Sequence, residues 1–187
     1  MSKKITICFF LFYSIITFSQ ITVSKTPGSS VMTKLGYGIT VNKGSSLIRE
    51  KYTLNDGSCT IQLDNVGIET SYSDKYSFNA VGNLTTKEPI VAYEIHYILY
   101  DVFGNHMKTL SNTEITDIES TQNFPKSASW YATENNVSQY YICVSYVANV
   151  RTKNGQIWRC DLKSIKEQLT KLKIEFEDGY LPVKDKQ

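Results

Sequence analysis

Histidine is almost missing from this chain: among 187 residues there are two, His96 and His106. A metal centre or an acid–base pair built on imidazole has to use one or both of them. An excess of one charge is missing too. The chain carries 20 Lys and Arg against 18 Asp and Glu, and two of those lysines, Lys3 and Lys4, stand at the extreme N-terminus. The two signs balance over the rest, so no long-range field draws in nucleic acid or an anionic membrane. The lysines at 163, 166, 171 and 173 alternate with Glu167 and Glu175, as on a solvated helix face. Past residue 19 no apolar run approaches the roughly 20 residues of a membrane helix. Helical periodicity is nearly absent before residue 160. There is no internal repeat, no low-complexity tract, no Gly-x-Ser-x-Gly and no zinc-type cysteine spacing.

What is present begins with an export signal over residues 1–19. Lys3 and Lys4 form its charged start. Residues 5–18 form an almost unbroken apolar run, too short to span a bilayer. Thr17 and Ser19 are the small residues before a cut ahead of Gln20. Cys8 lies inside the run behind bulky Ile7, unlike a lipobox. The sequence divides into this leader, an N-terminal lead-in with possible strands (20–57), a sandwich (58–161), a C-terminal helix (162–178) and a polar tail (179–187). Three cysteines follow the leader: Cys59, Cys143 and Cys160. An exported protein can form disulfides, but an odd number leaves a thiol over.

From residue 38 to 160 the pattern is alternating, β-branched and aromatic, broken by turn signals. Pro27, Gly28, Ser29 and Ser30 read as loose chain. Strands are expected over 38–42, 47–54, 59–63 and 72–81, with a turn at Asn55-Asp56-Gly57 and a polar loop over 82–89. The two best strands are 90–102 and 140–150. On the first, Val91, Tyr93, Ile95, Tyr97 and Leu99 share one face; on the second, Tyr140, Ile142, Val144, Tyr146, Ala148 and Val150 do. Shorter strands are expected over 106–110, 114–118 and 127–133, with Trp130 as a core anchor. Asn154-Gly155 predicts a two-residue hairpin turn with Arg151 opposite Trp158 and Cys160 opposite Asn149. That register separates Cys143 from Cys160 too widely for a bridge, leaving Cys59 as the partner for either. Ser164-Ile165-Lys166-Glu167 has the form of a capping box. Ile165, Leu169, Leu172 and Phe176 follow at helical spacing, and Gly179 and Pro182 stop the helix. Both best strands also carry apolar residues on their second face, including Ile98, Tyr100 and Val102, so the helix stripe is expected to cover that face.

Candidate chemistry is sparse. His96 shares a side of its strand with Glu94, and Asp101 and His106 stand near by, which is the minimum for a metal site. Cys143 or Cys160 with a histidine is the minimum for a thiol nucleophile. The Gly-Ser pairs at 28–29, 44–45 and 57–58 offer no nucleophile elbow. Asp101, Gly104 and Asn105 lack calcium-loop spacing and read as a turn. The 13 tyrosines and two tryptophans suit either strands or a carbohydrate surface. No catalytic, cofactor-binding or metal-ligating residue is assigned, and no cofactor is expected.

Tyr97-Ile98-Leu99-Tyr100-Asp101 resembles the motif that names the FxLYD family of exported, immunoglobulin-like domains, with Tyr97 in the phenylalanine position. The resemblance covers roughly residues 59–160 and extends to Pro89-Ile90 before the motif and Gly104-Asn105 after it. It implies a β-sandwich and an exported bacterial protein. The Cys…Trp…Cys pattern of antibody domains is missing, so the kinship is architectural. The expectation is a mainly β chain: an immunoglobulin-like antiparallel β-sandwich with a C-terminal amphipathic helix packed on one sheet. Such a chain is expected to act as an exported, secreted or periplasmic, non-catalytic binding or structural module. Its partner would be a protein or another envelope component, with no nucleic acid and no membrane span after cleavage. The alternative is a hydrolase or a carbohydrate-active accessory protein.

Overall fold

Two of the strands expected from alternation form the centre of the protein. In the computed structural model, which describes residues 20–30, 48–119, 123–125 and 128–181, they are β5 (Ile90–Tyr100) and β9 (Ile142–Thr152). They pair antiparallel, with Tyr97 opposite Ser145 and Leu99 opposite Cys143. Around them lie β1 (Ile21–Ser30), β2 (Ile48–Asp56), β6 (His106–Ile118) and β10 (Ile157–Arg159). The first sheet runs β1-β2-β9-β5-β6, with β10 also on β9. The second sheet holds β3 (Ile61–Tyr72), β4 (Tyr76–Thr86), β7 (Asn123–Pro125) and β8 (Ser129–Ala132). Two helices follow, α1 (Glu134–Gln139) and α2 (Leu162–Lys171), and a 3-10 turn at Asp178–Tyr180. The architecture is a mainly β sandwich with a short C-terminal helix. One pairing departs from the antiparallel expectation: β2 runs parallel to β9, from Glu50 opposite Ile142 to Leu54 opposite Tyr146.

The helix stripe covers the second face of the first sheet. Ile165, Leu169 and Phe176 are buried, and Leu172 packs beside them, in a cluster with Ile98, Tyr100, Val144 and Tyr146. This outer core is separate from the one between the sheets, which holds Tyr93, Ile95, Tyr97, Leu99, Cys143 and Val147. β5 therefore sends alternate residues into two cores. Burying the four stripe side chains contributes on the order of 6–10 kcal/mol before entropy. That is enough to hold a ten-residue helix that is marginal alone.

Several local expectations are corrected. The lead-in over 21–30 is strand β1, paired with β2 despite Pro27. An edge strand can spare that N–H. Residues 38–42, expected as a strand, lie outside the described residues, as does the leader. The loop expected from Gly82 is the continuation of β4 to Thr86. Gly82 sits at φ 121 opposite the β3 bulge, where a Cβ would lie 2.6 Å from the Asn65 carbonyl oxygen. The strands expected over 106–110 and 114–118 are one strand, β6. Val150 faces the inner core, unlike Val144 and Tyr146, because Glu94 pairs Asn149 while Ile95 pairs Val147. The extra residue, Ala148, resets the alternation.

The Asn154-Gly155 hairpin forms, but with a three-residue loop. Gly155 N–H bonds Thr152 O at 3.0 Å, and Thr152 N–H bonds Gln156 O at 3.0 Å, with Gly155 at φ 88. The register therefore shifts by one: Trp158 faces Val150, and Cys160 bonds Ala148 rather than facing Asn149. The N-cap of α2 is Asp161, not Ser164; its carboxylate accepts from Lys163 N–H at 3.1 Å and from Ser164 Oγ at 2.7 Å. The helix ends at Lys171, before Phe176. Lys173 adopts φ 59, and Ile174 N–H reaches back to Leu169 O at 2.9 Å, closing a Schellman motif.

Candidate functional site

The β5–β6 hairpin tip follows directly from the Tyr97–Asp101 motif. Tyr97 and Leu99 anchor it in the inner core, and Ile98 and Tyr100 in the outer one. Asp101 then fixes the turn. Its Oδ1 accepts from Phe103 N–H and Asn105 N–H, both at 2.9 Å, and its Oδ2 accepts from Asn105 Nδ2 at 2.9 Å. Backbone bonds between Asp101 and Asn105 and from Gly104 to Asp101 close the loop, with Gly104 at φ 85. The Asp101 carboxylate acts here as a turn cap. The tip presents Val102 and, 86% exposed, Phe103. Val102 was expected under the helix, but it lies past the end of β5 and is exposed. The exposure of Phe103 has no sequence signal, because phenylalanine usually marks core.

Glu94 and His96 do come together. Glu94 Oε1 lies 2.9 Å from His96 Nε2, and Tyr146 OH lies 3.1 Å from His96 Nδ1. Asn149 Nδ2 donates to Glu94 Oε2. Both residues are buried on the outer face of the first sheet. Each imidazole nitrogen already has a protein partner, so the ring is locked as a link between β5 and β9. His106 is elsewhere: its ring stacks on Tyr180 at 4.0 Å, and Nε2 lies 3.1 Å from Thr109 Oγ1. Among the described residues no group of three His, Cys, Asp or Glu side chains is placed to hold a metal ion.

The remaining candidates separate as well. Burial raises the Cys143 thiol to about 11, and its side-chain hydrogen-bond neighbour is Ser145. Burial raises Cys59 and Cys160 to about 12. None is an activated nucleophile. Ser29 accepts from the buried Arg49 guanidinium at 3.0 Å, Ser58 donates to Asp56 at 2.7 Å, and Gly44-Ser45 lies outside the described residues. Arg49, which sequence reasoning passed over, is fully buried and donates to five neutral oxygens of Ser29, Ser30, Thr70, Val137 and Tyr140. It ties β1, β3 and the α1 segment to β2. Trp130 is the core anchor expected, packed edge-on to Tyr97 at 5.7 Å. Tyr131, its neighbour, points the other way and is 80% exposed. It flanks Ser77 on the outer face of the second sheet, where Asn79 Nδ2 donates to Ser71 Oγ at 2.8 Å and Ser77 Oγ at 3.2 Å.

No protein-family model matches the chain, and no curated protein matches it. A crystal structure of a hypothetical protein from Peptoclostridium difficile 630 is similar over 65% of this chain and 96% of that one, at 10% identity and a TM-score of 0.46. No helix among the described residues is long and apolar enough to cross a membrane.

Proposed function

We propose that the chain is an exported, non-catalytic binding module that docks on a partner protein of the envelope or extracellular space through the β5–β6 tip. The observation that carries this reading is Phe103, 86% exposed on a turn whose geometry Asp101 fixes. The leader and the resemblance to exported FxLYD-type domains support the location. The internally partnered His96 favours a structural role for the cluster most like an active site. The test is affinity capture from native envelope extracts, comparing the wild type with Phe103→Ser. The reading expects a partner retained by the wild type and lost by the variant at unchanged Tm. Equal retention by both contradicts it.

A second reading has one observation of its own. Tyr131 stands on a flat face of Ser71, Ser77 and Asn79 whose amide and hydroxyls are pre-oriented by mutual hydrogen bonds. An exposed ring beside such groups fits the apolar and polar faces of a neutral glycan. Retardation in gels containing a soluble polysaccharide, abolished by Tyr131→Ala, supports that reading; equal mobility of both proteins dismisses it.

A further inference from the structure

β2 and β10 occupy the same edge of β9 in succession. β2 follows it as far as Leu54 opposite Tyr146, and β10 takes over at Arg159 opposite Asn149. The turn leaving β2 is thereby set against the end of β10. Trp158 Nε1 donates to Ser58 Oγ at 3.1 Å, next to Cys59 in the chain. Both cysteine backbones are fixed: Cys59 N–H bonds Asp56 O, and Cys160 N–H bonds Ala148 O, each at 3.0 Å. The two cysteines line one cleft, with Leu54, Tyr146, Trp158 and Ile165. Cys143 is elsewhere, in mid-sheet between Lys51 and Leu99. Five residues of strand separate it from the Cys160 position, about 16 Å, against the ~7 Å that a bridge allows.

We propose that Cys59 and Cys160 are the disulfide pair of this fold, and that Cys143 remains a thiol. The bond would join the β2–β3 turn to the strand that leads into α2, fastening the helix end of the outer layer to the second sheet. Its persistence in the cell rests on the export reading, since only an oxidising compartment maintains it. The oxidant is a low-molecular-weight disulfide such as glutathione disulfide. The Cys160 thiolate attacks one of its sulfurs and displaces one glutathione thiolate. Cys59 then attacks the Cys160 sulfur of the mixed disulfide and displaces the second. Two protein thiols are oxidised, one glutathione disulfide is reduced to two glutathiones, and the two thiol protons end on them. Cys160 is the less buried member and takes the first step; Cys59 is buried and resolves it. Burial holds both thiols at about 12, so this exchange is slow in the folded protein.

The test is oxidative refolding of the full chain in a glutathione buffer, followed by blocking with N-ethylmaleimide in denaturant and digestion without reduction. The expected map contains a peptide pair joining residues 59 and 160, with a mass two hydrogens below the reduced pair. Cys8 and Cys143 carry the alkyl group. Cys143→Ser is expected to give the same pair. Alkylation of Cys59 and Cys160, or any bridge that leaves one of them out, overturns the proposal. This arm decides the pairing without reference to export. The export reading fails separately, if protein recovered from cells retains residues 1–19.

Discussion

At Tyr97 the ring is buried in the inner core, but its hydroxyl has no hydrogen-bond partner among the described residues. Burial pushes its pKa far above the ordinary phenol value, so the group stays a desolvated, neutral O–H. The resembled motif carries phenylalanine at this position. Tyr97→Phe removes an unpaired polar atom and keeps the ring that packs on Trp130. It is expected to stabilise the protein by about 1 kcal/mol, read as a higher midpoint in urea at unchanged slope. His106 behaves differently. Thr109 Oγ1 donates to Tyr180 O and so accepts from His106 Nε2–H, while the ring stacks on Tyr180. Desolvation by burial lowers the His106 pKa. Between the folded and unfolded pKa values the unfolded chain holds more protons, so stability rises with pH there. The contribution is complete above the unfolded value, about 6.5, and is lost as pH falls from there through the lower folded value. Tm measured from pH 7.5 to 5.0 is expected to fall more steeply for the wild type than for His106→Gln.

Helix α2 shows how elements stop and start for reasons that spacing alone does not reveal. Lys173 takes the left-handed position of the Schellman motif at φ 59, a place that glycine occupies without steric cost. Lys173→Gly is expected to raise stability by about 0.5–1 kcal/mol, measured by thermal unfolding. The apolar stripe was legible in the sequence, and so was its destination: Ile98 and Tyr100 could not face water on a strand whose other side was already core. The helix end was not legible. Phe176 falls at helical spacing, yet it reaches the same outer core from extended chain beyond the reversal at Lys173. The capping signal at Ser164 was real but belonged to Asp161, whose carboxylate accepts Ser164 Oγ. The two central strands were legible because alternation and β-branching agreed over ten residues. β1 was hidden because Pro27 and Gly28 look like a breaker unless the strand is known to lie at an edge. The bulge at Ala148 and the three-residue hairpin loop depend on pairing, which one strand's sequence does not contain. Of the candidate site, the Asp101 turn could be read in advance. The Glu94–His96 contact followed from their shared strand face, but Tyr146 and Asn149, which complete it, come from β9.

For the whole molecule, two features set where a partner can bind. On the outer face of the first sheet α2 and the segment through Phe176 cover Ile98, Tyr100, Val144 and Tyr146, so these apolar residues are internal. The free edge of β3 is occupied by side chains of β2: Asn55 donates to Leu63 O and accepts from Leu63 N–H, both at 2.8 Å, and Thr53 Oγ1 donates to Val66 O at 3.1 Å. Such capping blunts strand addition there. Among the described residues the most exposed large apolar side chains are Phe103 at the hairpin tip, Ile115, 88% exposed on edge strand β6, and Tyr131 on the second sheet. The N-terminus fits an exported form: β1 pairing begins at Ile21 opposite Asp56, and Gln20 O accepts from Gly57 N–H at 3.1 Å. A cut before Gln20 leaves these contacts whole, and intact-mass analysis of exported protein is expected to find a chain starting at Gln20. The most direct test of the binding reading is site-specific photo-crosslinking in exporting cells, with a photoreactive residue placed at Phe103 or, as a control, at the exposed Lys163 of α2. A discrete adduct is expected from position 103 and none from position 163. An adduct from 163 alone, or none from 103, would contradict the binding reading.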